Sequence, residues 1–212
     1  MADRSLGYLL SFRSPVGIFT GLGVAGLVDR YVVRGGAGLP CIPGSSVKGR
    51  LRFFAERLLQ AGARCGGCRL HAAERPFCKQ SERACTVCRL FGNSSLPALL
   101  RVGQATLEAH WAAVLGDLLE ADRNPVLHPD IEVRPAIAVS RQRRTALGDH
   151  LFFDEVVPAT VRFEGTLRLA AGVTAEEERF LVAVGAAVDA MGARKAAGRG
   201  LLEGGVCIGE RR

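Results

Sequence analysis

Ile42-Pro43-Gly44-Ser45-Ser46-Val47-Lys48-Gly49-Arg50-Leu51-Arg52 is the stretch on which the reading of this chain turns. A Pro-Gly turn and two serines precede apolar residues at Val47, Leu51, Phe54 and Leu58, the period of an amphipathic helix. The helix is predicted to run to about Ala61, where Gly62 ends it in the left-handed conformation. Lys48 and Arg50 sit near the positive end of the helix dipole, which disfavours a cation by ~0.3–1 kcal/mol and welcomes an anion. Lys48 and Arg52 share a face at i, i+4 spacing, Gly49 leaves room for an approaching backbone, and the first N–H groups lack intrahelical partners. Ser45, Ser46, Lys48, Arg50 and Arg52 are therefore candidate phosphate ligands. A serine cap with solvated cations beside it is the simpler alternative.

Outward from this helix the chain alternates strands and helices. Gly7 to Phe19 reads as a strand interrupted at Pro15. Leu99 to Leu107 reads as a second, and Val161 to Leu169 as the clearest one, with Val161, Phe163, Gly165, Leu167 and Leu169 on one face. Leu107 to Ala121 carries Trp111, Val114, Leu115, Leu118 and Leu119 at helical spacing, which predicts core packing. Thr174-Ala-Glu-Glu177 is a capping box, followed by Phe180, Leu181, Val184, Val188 and Met191 on an inward stripe. Leu201 to Ile208 closes the chain as a strand. This order predicts an α+β protein, a single ferredoxin-like (RRM-like) βαββαβ domain over residues 1–212 with insertions. No run matches the aromatic signature with which such sheets stack bases, so contacts from loops to a sugar-phosphate chain are the expectation.

A chain of 212 residues with 48% apolar and 23% charged content affords a full core. Its formal charge of +7 and pI near 9.4 favour a polyanion as partner, nucleic acid first. No apolar run has the length of a membrane span and no signal peptide is evident, which predicts a cytoplasmic protein with no membrane association. From Ile131 to Pro158 a basic run, Arg134, Arg141, Arg143 and Arg144, lies between apolar flanks and predicts a hairpin with a basic tip, suited to a phosphate backbone. Gly192-Ala-Arg194-Lys195-Ala-Ala-Gly198-Arg199-Gly200 is a second basic, glycine-flanked loop that can approach a backbone closely.

Of seven cysteines, five crowd together at Cys65, Cys68, Cys78, Cys85 and Cys88. Two CxxC knuckles separated by a polar loop have the spacing of a structural Zn2+ site, closed by four thiolates and without an open position for water. Cys65, Cys68, Cys85 and Cys88 are the expected ligands, with Cys78 or His71 as alternates. A redox CxxC is disfavoured because such motifs do not ordinarily come paired. Cys41 and Cys207 stand alone in apolar surroundings. His128-Pro129-Asp130 is a turn by its composition, since a catalytic pair would need a third group to position it.

Taken together, the Ile42–Arg52 motif, Arg89-Leu-Phe-Gly-Asn-Ser94 and the late glycine–arginine loop resemble the RAMP superfamily, in particular the repeated backbone subunit of type III CRISPR effector complexes. The resemblance spans nearly the whole chain. It implies that the Ser-Ser-x-Lys-Gly turn lies on the guide RNA (crRNA) backbone, with Arg141, Arg143, Arg144, Arg194 and Arg199 as further RNA contacts. It implies a hairpin thumb at 131–158 that displaces one nucleotide at intervals, and stacking on copies of itself and other subunits along the guide. The knuckle, as an insertion at 63–90, resembles that of subtype III-D-like subunits. Target-cleaving members carry an aspartate upstream of the Ile-Pro-Gly-Ser-Ser motif, which here is Asp29. The resemblance implies that Asp29 holds Mg2+ or Mn2+, or orients the 2′-hydroxyl of a complementary target RNA for in-line attack. A stand-alone endoribonuclease that processes repeat RNA, with His71, His128 or His150 as its acid–base group, and a structural subunit without cleavage are the competing expectations.

Overall fold

The computed structural model describes residues 3–23, 27–61, 78, 80, 84–121 and 128–209. Eleven α-helices and β-strands follow in order among the described residues: β1 (Arg4–Phe12), α1 (Gly44–Ala61), α2 (Thr86–Phe91), β2 (Leu100–Val102), β3 (Thr106–Leu107), α3 (Ala109–Ala121), β4 (Glu132–Ser140), β5 (Thr145–Val156), β6 (Arg162–Leu169), α4 (Ala175–Ala187) and β7 (Leu202–Gly209). One antiparallel sheet has the order β2-β6-β1-β7, with β3 also paired to β6, and β4 and β5 form a separate two-stranded hairpin.

Period-two burial builds the sheet's inner face. Leu6, Tyr8, Leu10 and Phe12 of β1 and Phe163, Leu167 and Leu169 of β6 are buried against Val47, Leu51 and Ala55 of α1 and Leu181 and Val184 of α4. The Tyr8 ring lies across Gly165, where any side chain would overlap it, and its hydroxyl donates to the Gly103 carbonyl at 2.7 Å. Thr174 opens α4 with the predicted capping box: its hydroxyl accepts from the Glu177 N–H, and the Glu177 carboxylate accepts from the Thr174 N–H.

Several elements depart from the sequence reading. β1 starts at Arg4 and stops before Pro15, because the chain beyond it leaves the sheet to pair Val16 with Val157. The strand expected over Leu99–Leu107 is split into β2 and β3, as Ala105 turns to exchange two 2.9 Å backbone bonds with Ile42. Val87, Cys88, Leu90 and Phe91, for which no helix was expected, form a short buried one. Only part of the expected α3 stripe packs inward: Leu115 is buried and Trp111 packs against the core, while Val114 and Leu118 are 40% and 43% exposed. Among the described residues no helix is long and apolar enough to cross a membrane.

The hairpin falls within the expected 131–158 segment. Arg144 takes a left-handed backbone (φ 55°) in its turn and donates its N–H to the Ser140 carbonyl at 2.7 Å. The register shifts between Ile137 and Val139, leaving Ile137 opposite Leu151, both more than half exposed.

Candidate nucleic-acid interface

The start of α1 is fixed by the Ile42–Ala105 bridge and by Gly44, where a Cβ would overlap the Val102 carbonyl oxygen. Only glycine permits that approach, so the N-terminus of α1 is pressed against the edge of the sheet. Ser45 is exposed; Ser46 and Lys48 are half-buried. No described residue forms an ion pair with Lys48. Burial pushes its ammonium below the usual lysine range, and the nearby Arg52 guanidinium pushes it further the same way. An anion docking here would relieve both effects.

The two arginines of the same motif are engaged within the chain. Arg50 donates to the Ala190 carbonyl (2.7 Å) and to Asp189 (2.9 Å), and stacks on Phe53 and Phe54. Arg52 donates to Glu56 (2.9 Å) and to the Gly92 carbonyl (2.6 Å), bracing α1 against the turn after α2. Within this motif the structure therefore leaves Ser45, Ser46 and Lys48 as the groups open to a ligand.

Residues 28–32 run beside β5, with Arg30 and Asp154 forming a parallel bridge. Alternation along both segments divides the strip into two faces. On one face Asp154 is wholly buried and receives Arg194 at 2.6 Å, Arg199 at 3.0 Å and Arg30 at 3.4 Å. Arg30 also lies over Phe19 and Phe152, and Arg194 over Phe152. One carboxylate among three guanidinium groups leaves a local excess of positive charge. The glycine–arginine loop that supplies two of them is fastened to residues 15–17: Gly200 N–H donates to the Pro15 carbonyl and Ala193 N–H to that of Gly17, both at 2.9 Å. Gly200 (φ 65°) leaves no room for a Cβ against the Met191 carbonyl.

The opposite face carries Asp29, which is exposed, with one carboxylate oxygen accepting the Phe153 N–H at 2.7 Å. Farther along that face, the buried Glu155 accepts the Val32 N–H at 2.9 Å and lies 2.8 Å from His128 Nδ1. His128 and Asp130 do not pair: Asp130 is buried and takes a bidentate bond from Arg34, 2.8 Å at each oxygen. Arg141, Arg143 and Arg144 are exposed at the hairpin tip, remote in sequence from the α1 motif. Asp154 and Glu155 escaped the sequence reading, and their only signal was an acidic pair closing an apolar run, Leu151-Phe152-Phe153-Asp154-Glu155-Val156.

Sulfur atoms of Cys78, Cys85 and Cys88 lie within 4.8 Å of one another. The Cys85 N–H donates to Cys78 Sγ at 3.4 Å, and Asn93 donates to the Cys78 carbonyl at 3.0 Å. Cys78, expected as an alternate, thus joins Cys85 and Cys88 at the start of α2, while Cys65, Cys68 and His71 lie outside the described residues. Tetrahedral zinc with ~2.3 Å bonds to sulfur separates its thiolates by about 3.8 Å, which this cluster accommodates.

A model of the RAMP superfamily matches residues 10–203. No curated protein matches the sequence. Among solved structures, the chain is similar to a subunit in the cryo-EM structure of the type III-B Cmr-beta bound to cognate target RNA, with a TM-score of 0.62, 12% identity and 97% of each chain covered. It is also similar to one in the cryo-EM structure of type III-B Cmr-beta in the apo state, with a TM-score of 0.63, 12% identity and 96% of each chain covered. At that identity the likeness is one of fold. The family match covers most of the chain, and this protein belongs to the RAMP superfamily.

Proposed function

We propose that this chain is a backbone subunit of a type III CRISPR effector complex, which binds guide RNA along its phosphates, stacks on copies of itself and cleaves complementary target RNA. The observation that carries this reading is Lys48: a half-buried cation without an ion-pair partner among the described residues, at the N-terminus of α1 beside Ser45 and Ser46. Backbone N–H groups and an unpaired ammonium at a helix start are the donors a phosphate needs. Sequence specificity then lies in base pairing, the protein reading backbone and shape. A structural neighbour that holds cognate target RNA supports the choice of ligand.

In this reading the order β2-β6-β1-β7, with β2 and β3 counted as one broken edge strand, is a ferredoxin-like core. The hairpin is the thumb, its tip arginines 141, 143 and 144 lying on RNA. Arg194 and Arg199 present the uncompensated charge of the Asp154 cluster to a phosphate, and Arg50 and Arg52 shape the α1 end that the guide meets. Cys78, Cys85 and Cys88 hold Zn2+ together with Cys65 or Cys68, a structural site that anchors the 63–90 insertion. Asp29, with one carboxylate oxygen uncommitted to the Phe153 N–H, is the residue to hold Mg2+ or Mn2+ against a target phosphate, since such ions keep water and need only one or two protein carboxylates. The ion would stabilise charge developing on the scissile phosphate.

Extraction, sizing and sequencing of the RNA that copurifies with the protein from its own cells tests the assignment. CRISPR-derived guides of regular length are expected. Recovery of no RNA, or of unrelated cellular RNA alone, contradicts it.

A further inference from the structure

We propose that His128, oriented by Glu155, is the proton acceptor for the target's 2′-hydroxyl; this rests on the reading above that Asp29 marks a cleavage site. Glu155 is a buried carboxylate whose two oxygens are committed, one to the Val32 N–H at 2.9 Å and the other to His128 Nδ1 at 2.8 Å. A carboxylate only accepts, so Nδ1 carries the hydrogen, and the neutral ring keeps Nε2 as a lone-pair acceptor. The ring is 22% exposed, and the edge-to-face contact with Tyr31 at 5.8 Å fixes its plane.

The backbone places this nitrogen with Asp29. Asp29 and Tyr31 alternate to the same side of the 28–32 segment, as Phe153 and Glu155 do on β5. Asp29 is bonded at Phe153 and His128 at Glu155, two anchor positions one pleat repeat apart along β5, a backbone spacing of about 7 Å.

The chemistry balances without a further reactant. The 2′-O–H bond breaks and its proton passes to His128 Nε2, while the oxygen's electron pair forms the new bond to phosphorus. The P–O5′ bond breaks, its electron pair leaves with the 5′-oxygen, and the imidazolium returns the proton to that oxygen directly or through one water. The products are a 2′,3′-cyclic phosphate and a 5′-hydroxyl. Glu155 is a positioning residue that also stabilises the transient imidazolium.

The test uses the complete effector complex with its guide, magnesium and end-labelled complementary RNA. His128→Asn keeps a side-chain N–H for Glu155 but removes Nε2. Cleavage is expected to slow at least 10²-fold with guide binding unchanged, and the His128→Ala complex is expected to regain activity when imidazole is added. Wild-type cleavage rates in His128→Asn, with Asp29→Ala inactive, overturn the role of His128 and leave the cleavage reading standing. Full cleavage by Asp29→Ala, or none by the wild type, removes the reading and this proposal together. Loss of guide binding in His128→Asn, or failure of imidazole to restore His128→Ala, assigns the pair to structure and overturns the proposal.

Discussion

Asp154, wholly buried in β5, receives Arg194 at 2.6 Å, and through this bond the glycine–arginine loop is fastened to the base of the hairpin. Arg199 of the same loop and Arg30 of the 28–32 segment close on the same carboxylate. Three parts of the chain, residues 28–32, β5 and the 192–200 loop, are thereby held in one arrangement.

Removing that carboxylate leaves three guanidinium groups facing each other without a partner. Breaking a buried pair from one side costs about 3–5 kcal/mol. Asp154→Ala is expected to lower the urea unfolding free energy by that order and to expose the 192–200 loop to proteolysis at concentrations where the wild type resists. Wild-type stability would mean that the arginines find water at no cost.

Gly165 is expected to tolerate no side chain. A Cβ there overlaps the Tyr8 ring, whose hydroxyl is tied to the Gly103 carbonyl and which cannot swing away without giving up that bond. Overpacking of this kind costs about 1–3 kcal/mol. Thermal unfolding of Gly165→Ala measures it, and Gly209→Ala, where nothing lies nearby, is the control.

Glu177 links stability to pH. Burial alone would raise its carboxyl, but the Arg89 hydrogen bond, the Thr174 bonds and the Arg89 charge outweigh burial and hold it below its ordinary 4.5. A depressed folded value contributes stability that is fully present above the unfolded value and is lost as pH falls through the folded one. Urea midpoints of wild type and Glu177→Gln are therefore expected to differ most above about pH 5 and to converge as the pH falls well below 4. A gap independent of pH would show that the carboxylate's charge contributes nothing.

The cysteine cluster is expected to carry about one zinc per chain by elemental analysis. Cys88→Ser, which alters a sulfur buried at the start of α2, is expected to lose the metal and lower the melting temperature. Full zinc content in that variant would place the metal on other ligands.

The elements that form locally were legible in the sequence. The α1 start, the α4 capping box and the alternation of β6 depend on neighbours within a few residues, and they stand within one or two residues of their predicted bounds. What the sequence concealed was set by partners far along the chain. Arg50 meets Asp189 and Ala190, Arg52 meets Gly92, and Arg194 and Arg199 meet Asp154, so four arginines that read as free cations are already engaged. His128-Pro129-Asp130, read as a turn, is one, and its two side chains go to partners the sequence did not show, Glu155 and Arg34. Lys48 kept its predicted character because no carboxylate among the described residues reaches it.

Whether Lys48 holds a phosphate is decided by binding of single-stranded RNA to wild-type protein and Lys48→Ala, measured over a range of salt for several unrelated sequences. Lys48→Ala is expected to bind more weakly by a similar factor for every sequence, with a salt slope shallower by about 0.7, the share of one phosphate contact on a single strand. Unchanged affinity and slope would contradict it.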